Sequence, residues 1–238
     1  MNTETRFIVD ESVRDPEADI WFAVPDGFTS LPHDALLPEV GTPAADTLRS
    51  AVTPFLEAAP SDLIRARLVA DYARAQQLLA ALCVVGTVHC AVGLHRDDTE
   101  GGGTANRQAL FSFFTITWRD TAVAPRGVTA ARAVTSAQGH TGVEYAELPC
   151  GPATFSESIL TPSAGSGLPR QALLQIHTHL PHPDCRRLAV LTLSTTAVAR
   201  RRQYRAILRV IAETVSFDNP LEFGAESEHR TGTGRGQS

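Results

Sequence analysis

The 238-residue chain contains no lysine, and all 21 of its basic residues are arginine. Without a lysine there is no Schiff base to pyridoxal phosphate or to a ketone, no phosphate-loop lysine and no kinase-type strand lysine, which excludes those enzyme classes. Methionine occurs once and cysteine four times, as Cys83, Cys90, Cys150 and Cys185. None of the four has C-x-x-C spacing, and four thiols in a chain this long are too sparse for a disulfide scaffold, so they read as free thiols in a reducing compartment. No run approaches the roughly 18 apolar residues that span a bilayer, and the opening MNTETRFIVDESVRDPEADI lacks the basic start and apolar stretch of an export signal. The expectation is a cytoplasmic protein with no membrane insertion.

What the chain does contain is an ordinary globular composition, 43% hydrophobic and 20% charged, enough for one sizeable core. The net charge of −5 is uneven: residues 1–60 hold 11 acids against 3 arginines. No basic arm and no interleaving of arginine with aromatics marks a nucleic-acid groove, so nucleic acid is not expected as a partner.

Local patterning predicts the elements in order. Ile20 to Val24 is a short apolar run closed by Pro25-Asp26-Gly27, which predicts a first strand and a turn. Five prolines between residues 31 and 60 make that stretch mostly connection, with room for a short helix from Ala44 to Leu56. Ser61-Asp62 caps a predicted amphipathic helix whose stripe is Ile64, Leu68, Tyr72, Ala75, Leu79 and Leu82. From Val84 the period changes to two, with Val88, Cys90, Val92 and Leu94 on one face and His89 and Ala91 on the other. The polar stretch around Gly101-Gly102-Gly103 reads as a hairpin tip. Beyond it, Gln108 to Trp118 is apolar on both faces, which predicts a central strand covered on both sides.

Val128 to Ala137 predicts a short helix. Val143 to Leu148 with Ala153 to Leu160, and Leu173 to Leu180 with Arg187 to Leu193, predict two further hairpins. The last helix, opened by Ser194-Thr195-Thr196, carries the clearest apolar stripe: Tyr204, Ile207, Leu208, Ile211 and Val215. Hairpins followed by a helix, rather than alternating strand-helix-strand units, argue an α+β fold: an antiparallel sheet of six to seven strands with helices on both faces. The expected organisation is an N-terminal extension over 1–19, one domain over 20–219 and a disordered tail over 220–238.

This order, with the stretches IWFAVPDGF, AVGLHRDD and LPHPDCRRLAVLTLSTTAVARRRQYRAILRVIAETVSF, resembles uncharacterised actinobacterial proteins with a PsbP-like (Mog/PsbP-type) α/β/α sandwich. The resemblance implies a strand-turn-strand-helix unit closed by Val215-Ser216-Phe217. It also implies a fold group whose better-known members are accessory or binding proteins without an active site.

The densest set of potential metal ligands is His177, His179, His182 and Cys185. Two imidazoles two apart share a strand face and can chelate a transition metal, provided the turn folds back over them. The competing reading is a polar strand face, with Gln175, opposite an apolar one. His89 and His95 share another face, and His33, His140 and His229 fall in loops or the tail, so a composite site with His177 stays open. Gly165-Ser166-Gly167 lacks the G-x-S-x-G spacing of a hydrolase elbow. Glu144, Glu147 and Glu157 lie on neighbouring strands and read as solvated. Arg201, Arg205 and Arg209, with Arg200 and Arg202, crowd one side of the last helix, where an acidic partner has a place to dock.

The leading expectation is a non-catalytic accessory or protein-interaction protein with an unknown protein partner and no cofactor. The alternatives are a metal-binding protein or metal-dependent enzyme using the 177–185 hairpin, and a small-molecule carrier. An apolar cavity between sheet and helices would favour the carrier.

Overall fold

The computed structural model of the chain describes residues 7–9, 18–96, 109–135, 139–161 and 171–219. The predicted glycine-rich tip at 101–103, Gly165-Ser166-Gly167, His229 and the tail from 220 lie outside the described residues.

A seven-stranded antiparallel sheet organises the fold. β3 (Phe28–Ser30), β4 (Thr87–Arg96) and β5 (Ala109–Asp120) form one meander. β6 (Thr141–Leu148), β7 (Gly151–Leu160), β8 (Leu173–Pro181) and β9 (Arg187–Thr195) form the second. The two halves join where β9 pairs with β5, giving the order β3-β4-β5-β9-β8-β7-β6. The edges are a three-residue strand and a strand with a register shift between Thr141 and Glu144, both of which discourage edge-to-edge pairing.

The predicted first strand falls differently. Ala23–Pro25 (β2) pairs with Phe7–Val9 (β1) in a separate two-stranded sheet, inside the expected N-terminal extension, and Trp21 makes a single bridge to Ser216. The main sheet begins only after the Pro25-Asp26-Gly27 turn. His33–Leu36 (α1) and Pro43–Glu57 (α2) follow. α2 is a full helix rather than a connection: Thr42 caps it, Pro43 sits in its first turn, and Pro54 falls close to its end.

Asp62–Val84 (α3) is capped by Ser61, whose hydroxyl accepts from the Ile64 amide. Gly86 then turns the chain into β4 at φ +87°, with the Trp118 amide donating to its carbonyl at 2.8 Å. A Cβ at Gly86 would stand 2.7 Å from the Trp118 carbonyl oxygen, so glycine is required there. Arg126–Thr135 (α4) links the two meanders, and Arg201–Glu213 (α5), entered through a short 3₁₀ turn, completes the fold.

The two faces of the sheet are covered unequally. One face is closed: Phe114, Ile116, Phe155, Leu174, Ile176, Leu180, Leu191 and Leu193 pack under Tyr204, Leu208 and Ile211 of α5, as the helical stripe predicts. Ile20, Phe22, Val24 and Phe28 seal its end. Each fully buried side chain of this size contributes roughly 1.5–3 kcal/mol, so this face carries the core. The opposite, open face is roofed by α4 only over β7 and β8.

On that open face the expectation of a β5 strand covered on both sides fails, because Phe111 is 61% exposed. α3 also departs from its predicted amphipathic burial. Of its stripe only Leu79 is buried, and Leu63, Leu78 and Val84 are exposed. The period in its sequence is real, but no element of the described fold lies against most of that helix.

Candidate functional site

The open face divides into an apolar half and a polar half. In the apolar half, β5 presents Phe111 and Phe113, and β4 presents Val92. α3 overhangs them with Leu78 and Leu82, and Leu173 closes the far side. Together with the hydroxyl and amide groups of Thr192, Ser194 and Gln175 they line a groove of about 520 Å³. None of its lining residues is charged. Leu94, 56% exposed, and Val88 extend the same apolar strip along β4. The roofing stretch of α3, Ala75 to Val84, has no charged residue either. The ionic groups of α3 sit in its first half and pair among themselves: Arg65 with Asp62, and Arg67 and Arg74 with Asp71.

The polar half holds the histidines. His177 and His179 share the open face of β8, as their spacing predicts, with ring centroids 6.1 Å apart. His140, just before β6, joins them, stacking on His177 at 4.9 Å with the planes 23° apart. His140 Nδ1 lies 2.7 Å from Ser156 Oγ, and His177 Nδ1 lies 3.0 Å from Thr192 Oγ1. Burial, reinforced by the neighbouring imidazoles and Arg119, pushes His177 down to about 3 and His179 to about 4, so both are neutral at pH 7.

The other two proposed ligands are elsewhere, and the hairpin does not assemble the four-ligand set. His182 has the parity of the closed face. It packs edge-on against Trp118 and Phe217, and its Nδ1 contacts Asp184 Oδ2 at 3.0 Å. Cys185 stays in the turn at φ 59°, its thiol directed to the Pro183 carbonyl. A metal binds in the plane of an imidazole along a nitrogen lone pair, and the near-parallel rings of His140 and His177 do not aim at one point. Among the described residues no group of three or more His, Cys, Asp or Glu is placed to hold a metal ion.

The remaining described histidines serve packing. His89 lies against Phe22 and Phe114, and His95 against Phe28 and Tyr204 with a 3.0 Å bond to Ser112. His33 Nε2 meets Cys90 Sγ at 3.2 Å, and burial raises that thiol to about 11, well away from a reactive thiolate.

The arginine face of α5 is also reassigned. Arg205 and Arg209 both bond Glu144 on β6, and Arg201 bonds Glu157 on β7 at 3.1 Å. Arg205 also reaches the Gly142 carbonyl. These side chains are spent pinning the helix to the second meander, so Arg201, Arg205 and Arg209 do not form a vacant patch for an acidic partner. Glu157, expected to be solvated, is buried beneath them.

Sequence reasoning missed the groove because an apolar strand face looks alike whether it is buried or open. The signal that pointed to it was the uncharged second half of α3. No helix of the described residues is long and apolar enough to cross a membrane. No family model, no curated protein and no solved structure matches the chain.

Proposed function

We propose that the protein is a non-catalytic interaction module whose groove between α3 and the β4–β5 half of the sheet receives an amphipathic helix of a protein partner. The observation that carries this reading is the uncharged groove with Phe111 exposed on its floor. An open apolar groove rimmed by hydroxyl and amide groups is the kind of concave surface that proteins use for association. A helix that is apolar round its circumference is ordinarily buried, and α3 approaches that pattern over its second half while lying exposed.

The lack of charge defines the occupant. A partner element entering here must present no charge to the groove, and an amphipathic helix laying an i, i+3, i+4, i+7 apolar row into it meets that demand. The open mouth and the strip continuing along Leu94 and Val88 suit an elongated occupant better than an enclosed small molecule. The resemblance to PsbP-like accessory proteins points the same way.

A display selection of random peptides on the folded protein tests the reading. The expected result is enrichment of sequences with that apolar spacing, with binding lost in Phe111→Glu and retained in Arg202→Glu. Absence of enrichment, or peptides that bind Phe111→Glu equally well, overturns it. Saturable binding of a fluorescent fatty acid without peptide enrichment also overturns it, in favour of a carrier.

A further inference from the structure

The chain itself displays a helix of the kind that the groove calls for. Along α3, Ile64, Leu68, Asp71, Ala75, Leu78 and Leu82 recur at alternating steps of four and three, which is the seam of a helix pair. The side turned toward the rest of the fold is a different one, marked by buried Leu79 and by Gln76, whose amide reaches the Leu36 carbonyl. The seam stays open: Ile64, Leu68 and Leu78 are exposed, and Leu78 and Leu82 already form one wall of the groove.

This seam is complementary to itself when reversed. In an antiparallel pair centred near Ala73, Ile64 stands opposite Leu82 of a second copy, Leu68 opposite Leu78, and Asp71 opposite Ala75. A parallel pair would set two Asp71 carboxylates against each other inside the seam, whereas reversal brings each Asp71 within one residue of the second copy's Arg74. Asp71 already holds Arg74 of its own chain at 3.2 Å, and both side chains are more than half exposed, so the four charges alternate around the two-fold axis. Charge thus selects both the direction and the register.

The extent is adequate as well. From Ile64 to Leu82 the helix runs about 27 Å at ~1.5 Å per residue. Phe111 and Leu94 of each copy are exposed beside it. A contact of that length over such a floor is on the scale of the ~1,000 Å² in total that a specific interface needs.

Resting on the reading of the groove as a helix receptor, we infer that its occupant is α3 of a second copy of this chain. The two α3 helices pair antiparallel, and each copy lays Ile64 and Leu68 against the groove wall of the other. Such a two-fold contact uses the same patch on both copies and closes on itself, so association stops at the dimer.

Sedimentation velocity of the full chain, in a dilution series from micromolar to millimolar, tests the pair. A monomer–dimer equilibrium with no larger species is expected. Leu68→Glu should weaken the dimer at least tenfold, with the melting temperature of the dilute protein unchanged. Asp71→Arg and Arg74→Asp should each leave the chain monomeric, because four like charges then meet at the axis, and mixing the two variants should restore a one-to-one dimer. A chain that stays monomeric throughout, a dimer indifferent to Leu68→Glu, or a mixture of the charge variants that stays monomeric overturns the inference. A monomeric chain that still enriches groove-binding peptides keeps the groove reading and loses only the pairing, while absence of both dimer and peptide binding loses both.

Discussion

The closed and open faces of one sheet are built from strands of similar composition, yet they end in opposite states. On the closed face, Phe114, Ile116, Leu191 and Leu193 meet the stripe of α5 and disappear from solvent. Three residues before Phe114 on the same strand, Phe111 turns to the open face and remains exposed. The strand is apolar on both sides in either case. What differs is whether the chain supplies a helix to cover each side: α5 is committed by its packing and by ion pairs from Arg201, Arg205 and Arg209, whereas α3 overhangs the sheet without closing on it.

The comparison is broken most sharply by truncation on each side. Leu208→Ala removes a fully buried contact of α5 and should cost about 2–5 kcal/mol in chemical denaturation. Phe111→Ala on the open face should change stability by no more than ~0.5 kcal/mol. Equal losses would mean that the open face is part of the core.

Acid should act on the polar half of the open face. His177 and His179 sit well below their ordinary 6.5 when folded, so the unfolded chain binds protons first as pH falls. Their contribution is whole above about pH 6.5 and is lost on acidification toward their folded values of about 3 and 4, at roughly 1 kcal/mol per pH unit for each. Melting temperatures followed from pH 7 to pH 4 should fall, and His177→Gln with His179→Gln should fall less steeply. Parallel curves for the two proteins would contradict the assignment.

Smaller effects probe the joints between the halves. Gly86→Ala forces a side chain into a left-handed turn against the Trp118 carbonyl and should cost more than about 1 kcal/mol by urea denaturation. Glu144→Gln loosens the clasp of Arg205 and Arg209 on the rim of the closed face. Because Glu144 is partly exposed, the loss should stay within about 1 kcal/mol and shrink in high salt.

Much of this architecture was legible in the chain. The period-two runs of the hairpins and the Tyr204, Leu208, Ile211 stripe carry the antiparallel sheet and its main helix, since each pattern has one geometry that buries it. Three features were not legible, each for a physical reason. The apolar pattern of Phe111 and Phe113 does not say whether the covering partner lies in the same chain. The partners of Arg205 and Arg209 stand some sixty positions earlier on another strand, and a run of arginines looks the same whether solvated or paired. His177 and His179 were correctly placed on one face by spacing, but His140 reaches them only through the register of β6 on β7 and β7 on β8.

Hydrogen exchange on the protein, free and saturated with a selected amphipathic peptide, measures the contrast between the faces directly. Slowed exchange is expected in α3 from Leu78 to Val84 and in β5 from Phe111 to Thr115, with α5 unchanged. Protection confined to α5, or none in α3 and β5 at saturation, would contradict it.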